Sequence, residues 1–138
     1  MEKKYQAQII ATDNEGLQMI SACSAGAKVK VSDIKYLQSN KVFLLSIERI
    51  KIETDQDNKK INSICRFDFV DKVRSKNIDQ SNQETVLELI GIDYLKNNDV
   101  YEINLIFNNN AHIALTTETI EVRLEDQSEI KNGYENIK

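Results

Sequence analysis

The sequence predicts a single α+β domain built on a strongly bent antiparallel β-sheet of about six or seven strands. The chain has 138 residues, which suits one domain of roughly 100–150 residues. Most apolar residues recur at every second position in short segments separated by polar turns, a pattern typical of half-buried strands. One early segment instead has helical spacing between a capping signal and a glycine, which predicts one helix after the first strand.

Composition restricts the class of protein. Hydrophobic residues make up 41% of the chain and charged residues 29%, a balance that predicts a packed core. The net charge of −4 disfavours a whole-surface attraction to nucleic acid or anionic membranes. There is no apolar run of about 18–20 residues, and residues 1–6 lack the apolar stretch of a secretory signal. We therefore expect a cytoplasmic protein without membrane insertion.

The first strand is predicted over residues 5–11, where Ile9 and Ile10 lie in a loosely alternating segment. Thr12 and Glu15 then match a capping box, in which each side chain satisfies backbone donors at a helix start. Leu17 and Ile20 follow on one helical face. Gly26 is placed to end the helix in a left-handed conformation, which predicts a helix of about three turns.

A hairpin is predicted next. Residues 27–31 alternate, the pattern shifts near residue 33, and it resumes over 34–36. A polar turn at 38–41 leads into a long strand at 42–52, so the two strands should pair in antiparallel fashion. The apolar residues of the long strand change parity, which predicts a bulge near residues 48–49.

Four more strands are predicted between polar loops. The loops are 54–60 and 79–84, and the turns are 97–99 and 108–110. The strands are 65–78, 86–95, 101–107 and 111–116. The nearly continuous apolar run at 86–95 predicts a central strand covered on both faces.

The C-terminal part is ambiguous in its period. Residues 118–126 fit a strand, but Ile120 and Leu124 also fit a helix that Thr116 or Thr117 could cap, and we favour a C-terminal helix. Residues 128–138 contain few apolar residues and are expected to form a loosely ordered tail, so the domain spans 1–127. A pleckstrin-homology-like half barrel is the favoured architecture, and a split sheet with two helices packed on one face is the alternative.

Basic residues recur on the predicted strand 65–78. Arg66, Lys72, Arg74 and Lys76 share one parity with Asp68 and Val70, so a regular strand would place them on one face. With Lys28 and Lys30 on a neighbouring strand, they would form an anion-binding stripe. A bulge near residues 70–71 would scatter this stripe, and a solvated face balanced by acidic residues is the alternative. Phe67 and Phe69 have the opposite parity, which argues against stacking on nucleic-acid bases.

No catalytic or metal-binding set is evident. His112 is the only histidine and is expected to be exposed on a strand. Cys23 and Cys65 form no Cys-x-x-Cys pair and are interpreted as reduced thiols in or near the core. Asp33 and Asp79 are expected to cap turns. We find no glycine-rich phosphate loop and no nucleophile motif, so we expect no catalytic residues, metal or cofactor.

Three blocks resemble a known bacterial family. They lie at residues 26–37, 66–79 and 119–126, and match the family patterns K-V-G-D-x-x-Y-L, R-F-x-x-V-x-x-V-R-S-R-G-I-D and I-E-A-x-L-x-D. In this chain Ser32 replaces the glycine of the first pattern, and Lys76 and Asn77 replace Arg-Gly in the second. The sequence thereby resembles domain of unknown function 2948 over nearly its whole length. The resemblance implies a family but no activity.

These observations favour a non-enzymatic binding or adaptor domain with a protein partner. The sheet edge or the basic stripe is the expected interaction surface. A nucleic-acid- or phosphate-associated factor that uses the stripe and an enzyme of unrecognised type are the alternatives. Self-association through an uncovered edge strand is a further expectation.

Overall fold

The computed structural model describes residues 8–50 and 60–127. Within them the chain forms one helix and ten strands. The elements in chain order are β1 (Gln8–Ala11), α1 (Asn14–Ser24), β2 (Lys28–Lys30), β3 (Ile34–Leu37), β4 (Val42–Ile50), β5 (Lys60–Phe67), β6 (Val70–Lys76), β7 (Val86–Asn97), β8 (Val100–Phe107), β9 (His112–Thr117) and β10 (Val122–Asp126).

The strands form one open sheet in the order β1-β10-β5-β4-β2-β7-β8-β9-β6, and β3 pairs with β4 beside this path. All the pairs are antiparallel. The α+β class with an antiparallel sheet is therefore confirmed. The predicted number of six or seven strands is too low, because the long strands predicted at 27–36 and 65–78 are each divided in two, and because residues 122–126 form a strand.

The helix is confirmed, but its start differs by one residue from the prediction. Asp13, and not Thr12, is the N-cap: its carboxylate accepts a hydrogen bond from the Gly16 N–H at 2.9 Å. A Cβ atom at Gly16 would lie 2.9 Å from Ala11, so a glycine is needed where the first helical turn packs on the end of β1. Gly26 has a φ of +86° after the helix, as predicted.

The β3–β4 hairpin is confirmed, whereas the predicted bulge near residues 48–49 is wrong. β4 pairs with β5 without a register shift from Phe43 to Ile50. The alternation therefore continues, so Arg49 points inward and is buried while Ile50 is exposed. The apolar residues change parity at Ile50 because the isoleucine lies on the exposed face and the arginine on the buried one, and not because the strand is irregular.

The predicted single strand at 65–78 is interrupted. β5 ends at Phe67 and β6 begins at Val70, and between them Phe69 has a left-handed φ of +60°. Phe69 is 44% exposed whereas Phe67 is buried, so the two rings do not share one face as their common parity predicted. The bulge predicted near residues 70–71 is confirmed by a register shift between Val70 and Lys72 in the pairing with β9.

The later strands agree with the prediction except at two points. β7 is central, but only one of its faces is buried, since Val86, Ile90 and Leu95 are exposed. Residues 122–126 form β10 and not a C-terminal helix: Ile120, Val122, Leu124 and Asp126 are all buried at a period of two, and the sheet provides partners for the backbone on both sides. The predicted loop at 54–60, except Lys60, and the tail at 128–138 lie outside the described residues.

The core is one cluster between the inner face of the bent sheet and the buried face of α1. Phe43 and Phe67 meet edge to face at its centre, with ring centroids 6.0 Å apart, a favourable aromatic geometry. Both cysteines are buried, as predicted for thiols in or near the core. Burial raises the pKa of the Cys65 thiol to about 12.

Candidate functional site

The edge strand β6 is the candidate site, because its two faces carry different chemistry. Among the strands that the structure describes, β6 is the last of the sheet and pairs only with β9. Val73 and Ser75 lie opposite the buried Leu115 and Ile113 and so belong to the inner face. The basic residues of β6 alternate with them on the outer face.

The predicted basic stripe is not one continuous face. Lys72, Arg74 and Lys76 do share the outer face of β6, opposite Thr116, Ala114 and His112. Arg66, however, lies on β5, between Leu44 of β4 and Arg123 of β10. The backbone kink at Phe69 and the bulge after Val70 separate the two groups, because each breaks the period of two on which the stripe depends.

Lys28 and Lys30 also lie apart from β6, so their predicted position on a neighbouring strand is wrong. Their strand β2 pairs with β4 and β7. Lys28 stands between Glu48 and Glu88 on the adjacent strands, and Lys30 forms an ion pair with Glu84 at 3.5 Å. Both lysines line a cavity of about 420 Å³ that also contains Asp33, so the local charge is mixed.

Ion pairs leave few cations of the stripe uncompensated. Arg66 binds Asp68 at 3.0 Å, and Arg74 reaches across β9 to Glu102, also at 3.0 Å. Within residues 8–50 and 60–127, neither Lys72 nor Lys76 forms an ion pair with a carboxylate. The basic character of β6 therefore rests on these two lysines.

The inner face of β6 borders a cavity of about 320 Å³. The gap between β3 and β6, which are not paired with each other in the sheet, is called the seam below, and the cavity lies in it. Buried apolar residues form the floor, and uncharged polar groups lie among partly exposed apolar residues at the rim. The lining residues are Val31, Ile34, Tyr36, Phe43, Val73, Ser75, Ile78, Gln80, Gln83 and Ile113.

Hydrogen bonds close the seam at both ends. At one end the Tyr36 hydroxyl donates to the Val70 carbonyl, and the Val70 N–H donates to the Lys41 carbonyl, both at 2.8 Å. At the other end the Ser32 N–H donates to the Gln83 carbonyl at 3.1 Å. Between these ends the seam is a pit bounded by β3, β6 and the loop that leads to β7.

The loop at the second end is held by its own polar groups. Asp79 accepts hydrogen bonds from the backbone N–H and hydroxyl of Ser81, which confirms the turn-capping role predicted for it. These bonds lower the pKa of the Asp79 carboxyl. Gln80 donates to the Ser75 hydroxyl at 3.2 Å, so the loop is joined to the inner face of β6.

The first end contains the strained Phe69. Backbone hydrogen bonds surround it: the Asp68 N–H donates to the Glu121 carbonyl, and the Val70 N–H, in the peptide unit that follows Phe69, donates to the Lys41 carbonyl. Lys41 also forms ion pairs with Asp71 at 2.9 Å and Glu118 at 3.7 Å. The hydrogen bond and charge of Asp71, with Glu118, raise the pKa of the Lys41 ammonium. These contacts hold the backbone on both sides of Phe69. A phenylalanine stays in the unfavourable left-handed conformation only where the surrounding structure holds it there.

His112 lies on a strand as predicted, but it is half-buried rather than fully exposed. Its Nε2 is 2.9 Å from Asn104 Oδ1 on the outer face of β8. Cys65 points inward on β5, so the structure does not bring a thiol to this imidazole.

Sequence reasoning missed a buried polar network on the opposite side of the core. Arg49 and Asp126 form an ion pair at 2.9 Å and are both almost completely buried. Ser63 accepts from Arg49 Nε at 3.0 Å and donates to Asp126 at 2.7 Å, and Arg49 also donates to the Cys23 carbonyl at the end of α1. The inward parity of Arg49 and Asp126 was visible in the sequence, but their pairing was not.

No metal-binding group of three or more His, Cys, Asp or Glu side chains occurs in the part of the chain that the structure describes. The helix found in residues 8–50 and 60–127 is also too short to cross a bilayer. Among the described residues, β6 therefore has an uncharged, largely apolar cavity on its inner face. Its outer face carries Lys72 and Lys76, which form no ion pair in this part of the chain. This arrangement suits binding.

Comparison with known proteins identifies a family but no individual relative. No curated protein and no solved structure matches the chain. The model of one family, described as a protein of unknown function (DUF2948), matches residues 7–135. The match covers nearly the whole chain and includes all three sequence blocks, and the protein therefore belongs to the DUF2948 family.

Proposed function

We propose that this protein is a non-enzymatic binding module of the cytoplasm, and that it holds a protein partner by burying one of the partner's apolar side chains in the seam. The observation that carries the proposal is the seam cavity. Its volume of about 320 Å³ lies at the lower end of the range for binding pockets, which is roughly 300–1,000 Å³.

The lining of the cavity selects a neutral apolar group. None of the ten described residues that line it carries a formal charge. Of the seven partly buried hydrophobic residues that pack against the core, four line this one cavity: Ile34, Tyr36, Val73 and Ile78. Covering their remaining exposed surface would be favourable, at about 25 cal/mol per Å².

The edges of the seam favour a polypeptide over a free small molecule. Among residues 8–50 and 60–127, β3 pairs only with β4 and β6 pairs only with β9, so within this part of the chain each strand has one edge without a strand partner. Such edges offer backbone donors and acceptors to an extended segment, while an adjacent pocket receives a side chain. The same edges support self-association as the nearest variant of this proposal.

A peptide library tests the proposal. Random peptides displayed on phage would be selected on the wild-type protein, and the enriched peptides would be measured by fluorescence anisotropy. We expect peptides with a large apolar residue. Gln80→Trp at the cavity rim should weaken their binding at least tenfold, because the indole would occupy the pit. The matched substitution Gln18→Trp, on the exposed face of α1, should change it less than twofold.

Two results would overturn the proposal. One is that no peptide is enriched above an unrelated control protein, and the other is that enriched peptides bind Gln80→Trp as tightly as the wild type. If a neutral small molecule binds the wild type and is excluded by Gln80→Trp while no peptide is enriched, the cavity is a ligand site and the polypeptide partner is wrong.

The pleckstrin-homology-like architecture stays a prediction. The bent antiparallel sheet and the seam support it, whereas β10 occupies the place where a closing helix was expected. Even if it holds, shared architecture carries no ligand with it. The nucleic-acid alternative rests on Lys72 and Lys76, since Arg66, Arg74 and Lys30 are in ion pairs.

A further inference from the structure

The outer face of β6 ends in a second cleft, separate from the seam. Lys76 of β6 and His112 of β9 are direct cross-strand partners there. Together with Asn77 and Asn110 they line a cleft of about 410 Å³, whose apolar wall includes Ile106. Because Val73 and Ser75 point to the other side of the strand, an occupant of this cleft does not compete with an occupant of the seam.

The charge of this cleft is unlike that of the chain as a whole. The protein has 22 acidic residues and a net charge of −4, yet none of the seven described residues that line the cleft is acidic. The cavity beside Lys28 and Lys30, by contrast, also contains Asp33 and Glu48. Lys76 therefore faces the cleft with no carboxylate in an ion pair among the described residues.

The hydrogen-bond donors of the cleft are held in place. His112 is fixed by Asn104 through Nε2, so its ring orientation is set, and in the protonated ring Nδ1 is a further donor. Asn77 has a φ of +61° and donates from Nδ2 to the Asn110 carbonyl at 2.9 Å. This bond ties the end of β6 to the β8–β9 turn, which keeps Lys76 and the two amides together.

We propose that this cleft binds a small oxyanion, either a phosphate group or a carboxylate. Lys76 supplies the charge, and the asparagine amides, joined by Nδ1 of His112 when its ring is protonated, supply directed donors, the combination that charge-assisted hydrogen bonds require. The site retains Lys76 from the predicted basic stripe and adds a histidine and two asparagines from other elements. It does not depend on the function proposed for the seam.

Titration with simple anions tests this site. The ¹⁵N-labelled protein would be titrated with sodium phosphate, sodium acetate and sodium chloride at constant pH and ionic strength. We expect saturable shifts confined to the amides of residues 76–77 and 110–112 and to the His112 ring. Saturation by phosphate alone identifies a phosphate site, saturation by acetate alone a carboxylate site, and saturation by both a general oxyanion site.

Variants decide whether the cleft is responsible. Lys76→Gln should weaken the bound anion at least fivefold, and Lys76→Arg should restore most of the affinity because it keeps the charge. The matched variant Lys35→Gln, at an exposed lysine of β3, should change it less than twofold. The proposal is overturned if chloride produces the same shifts, if neither oxyanion saturates, or if Lys76→Gln binds as the wild type does.

Discussion

Two sides of the same core are closed by different means. Where β4, β5 and β10 meet the end of α1, a buried arginine and a buried aspartate pair at 2.9 Å and Ser63 bridges them. Where β3 faces β6, hydrogen bonds such as that from the Tyr36 hydroxyl to the Val70 carbonyl close the ends of the gap, and apolar side chains stay partly exposed between them. We call the first region the sealed corner. Buried polar groups thus hold the strands together at the sealed corner, whereas the seam, where binding is proposed, keeps apolar surface exposed.

The largest expected effect is at the sealed corner. Asp126→Ala removes the buried carboxylate that accepts hydrogen bonds from Arg49 and Ser63, and breaking a buried ion pair on one side should lower the free energy of unfolding by about 3–5 kcal/mol. Urea denaturation followed by circular dichroism would measure this change. The corresponding loss at the seam should be several times smaller.

A double variant separates the charge from the packing at this corner. Arg49→Met with Asp126→Leu removes both charges and keeps apolar volume, so it should be more stable than Asp126→Ala alone. If the double variant is as unstable as the single one, the shape and the hydrogen bonds of the network matter more than its charge balance.

The second effect is a loss of stability at high pH caused by Cys65, a buried thiol on the same strand as Ser63. Burial raises the pKa of Cys65 to about 12, whereas the ordinary value is 9.0. Between these two values the unfolded thiol releases its proton and the folded thiol keeps it, so stability is complete below pH 9 and falls as the pH rises towards 12. At pH 10.5 the loss should be about 2 kcal/mol.

Comparison with Cys65→Ala isolates this contribution from the lysines and tyrosines that titrate in the same range. The wild type should lose more stability between pH 8.5 and pH 10.5 than the variant loses, by about 2 kcal/mol. Equal losses would show that the folded thiol ionises as readily as the unfolded one. Alkylation should likewise modify Cys65 only after denaturation.

The third effect tests how firmly the seam is held. Tyr36→Phe removes the hydroxyl that donates to the Val70 carbonyl at 2.8 Å. The expected loss is about 1 kcal/mol, since a partly buried hydrogen bond contributes roughly 0.5–1.5 kcal/mol. Hydrogen exchange should rise in β3 and β6 and stay unchanged in β4 and β5. Faster exchange throughout the sheet would mean that the seam is part of the main cooperative unit.

The sequence predicted the regular parts of this comparison well. The helix, the β3–β4 hairpin and the β7–β8–β9 meander follow directly from their periods and from turns rich in asparagine. At the sealed corner, Arg49 continues the parity of Ile47, and Asp126 continues that of Leu124. The pairing of the two could not be read from the chain, because 77 residues separate them and only the sheet order places β4 and β10 on the two sides of β5.

The seam was less predictable for a local reason. Phe67, Val70 and Val73 are spaced by three residues, twice in succession, where an unbroken strand would have a spacing of two. The first departure is the kink at Phe69 and the second is the bulge at Val70. Both spacings were visible in the sequence, but only the second was interpreted, as a bulge. The kink was missed, and the basic stripe was therefore predicted to continue from Arg66 to Lys76 on one strand. Which strand would then face β6 depended on the whole topology.

A fourth effect, similar in size to that of Tyr36→Phe, distinguishes backbone strain from side-chain contact at the point where the seam begins. Phe69 has a φ of +60° and is 44% exposed. Phe69→Gly and Phe69→Ala both remove the ring, but only glycine adopts this conformation without steric cost, so the glycine variant should be more stable by about 1 kcal/mol. Equal stabilities would mean that the kink relaxes once the ring is gone. The strands of the sealed corner, β4, β5 and β10, contain no left-handed residue. Backbone strain at Phe69 would therefore lie beside the seam, on the side of the protein that is proposed to bind, and not at the sealed corner.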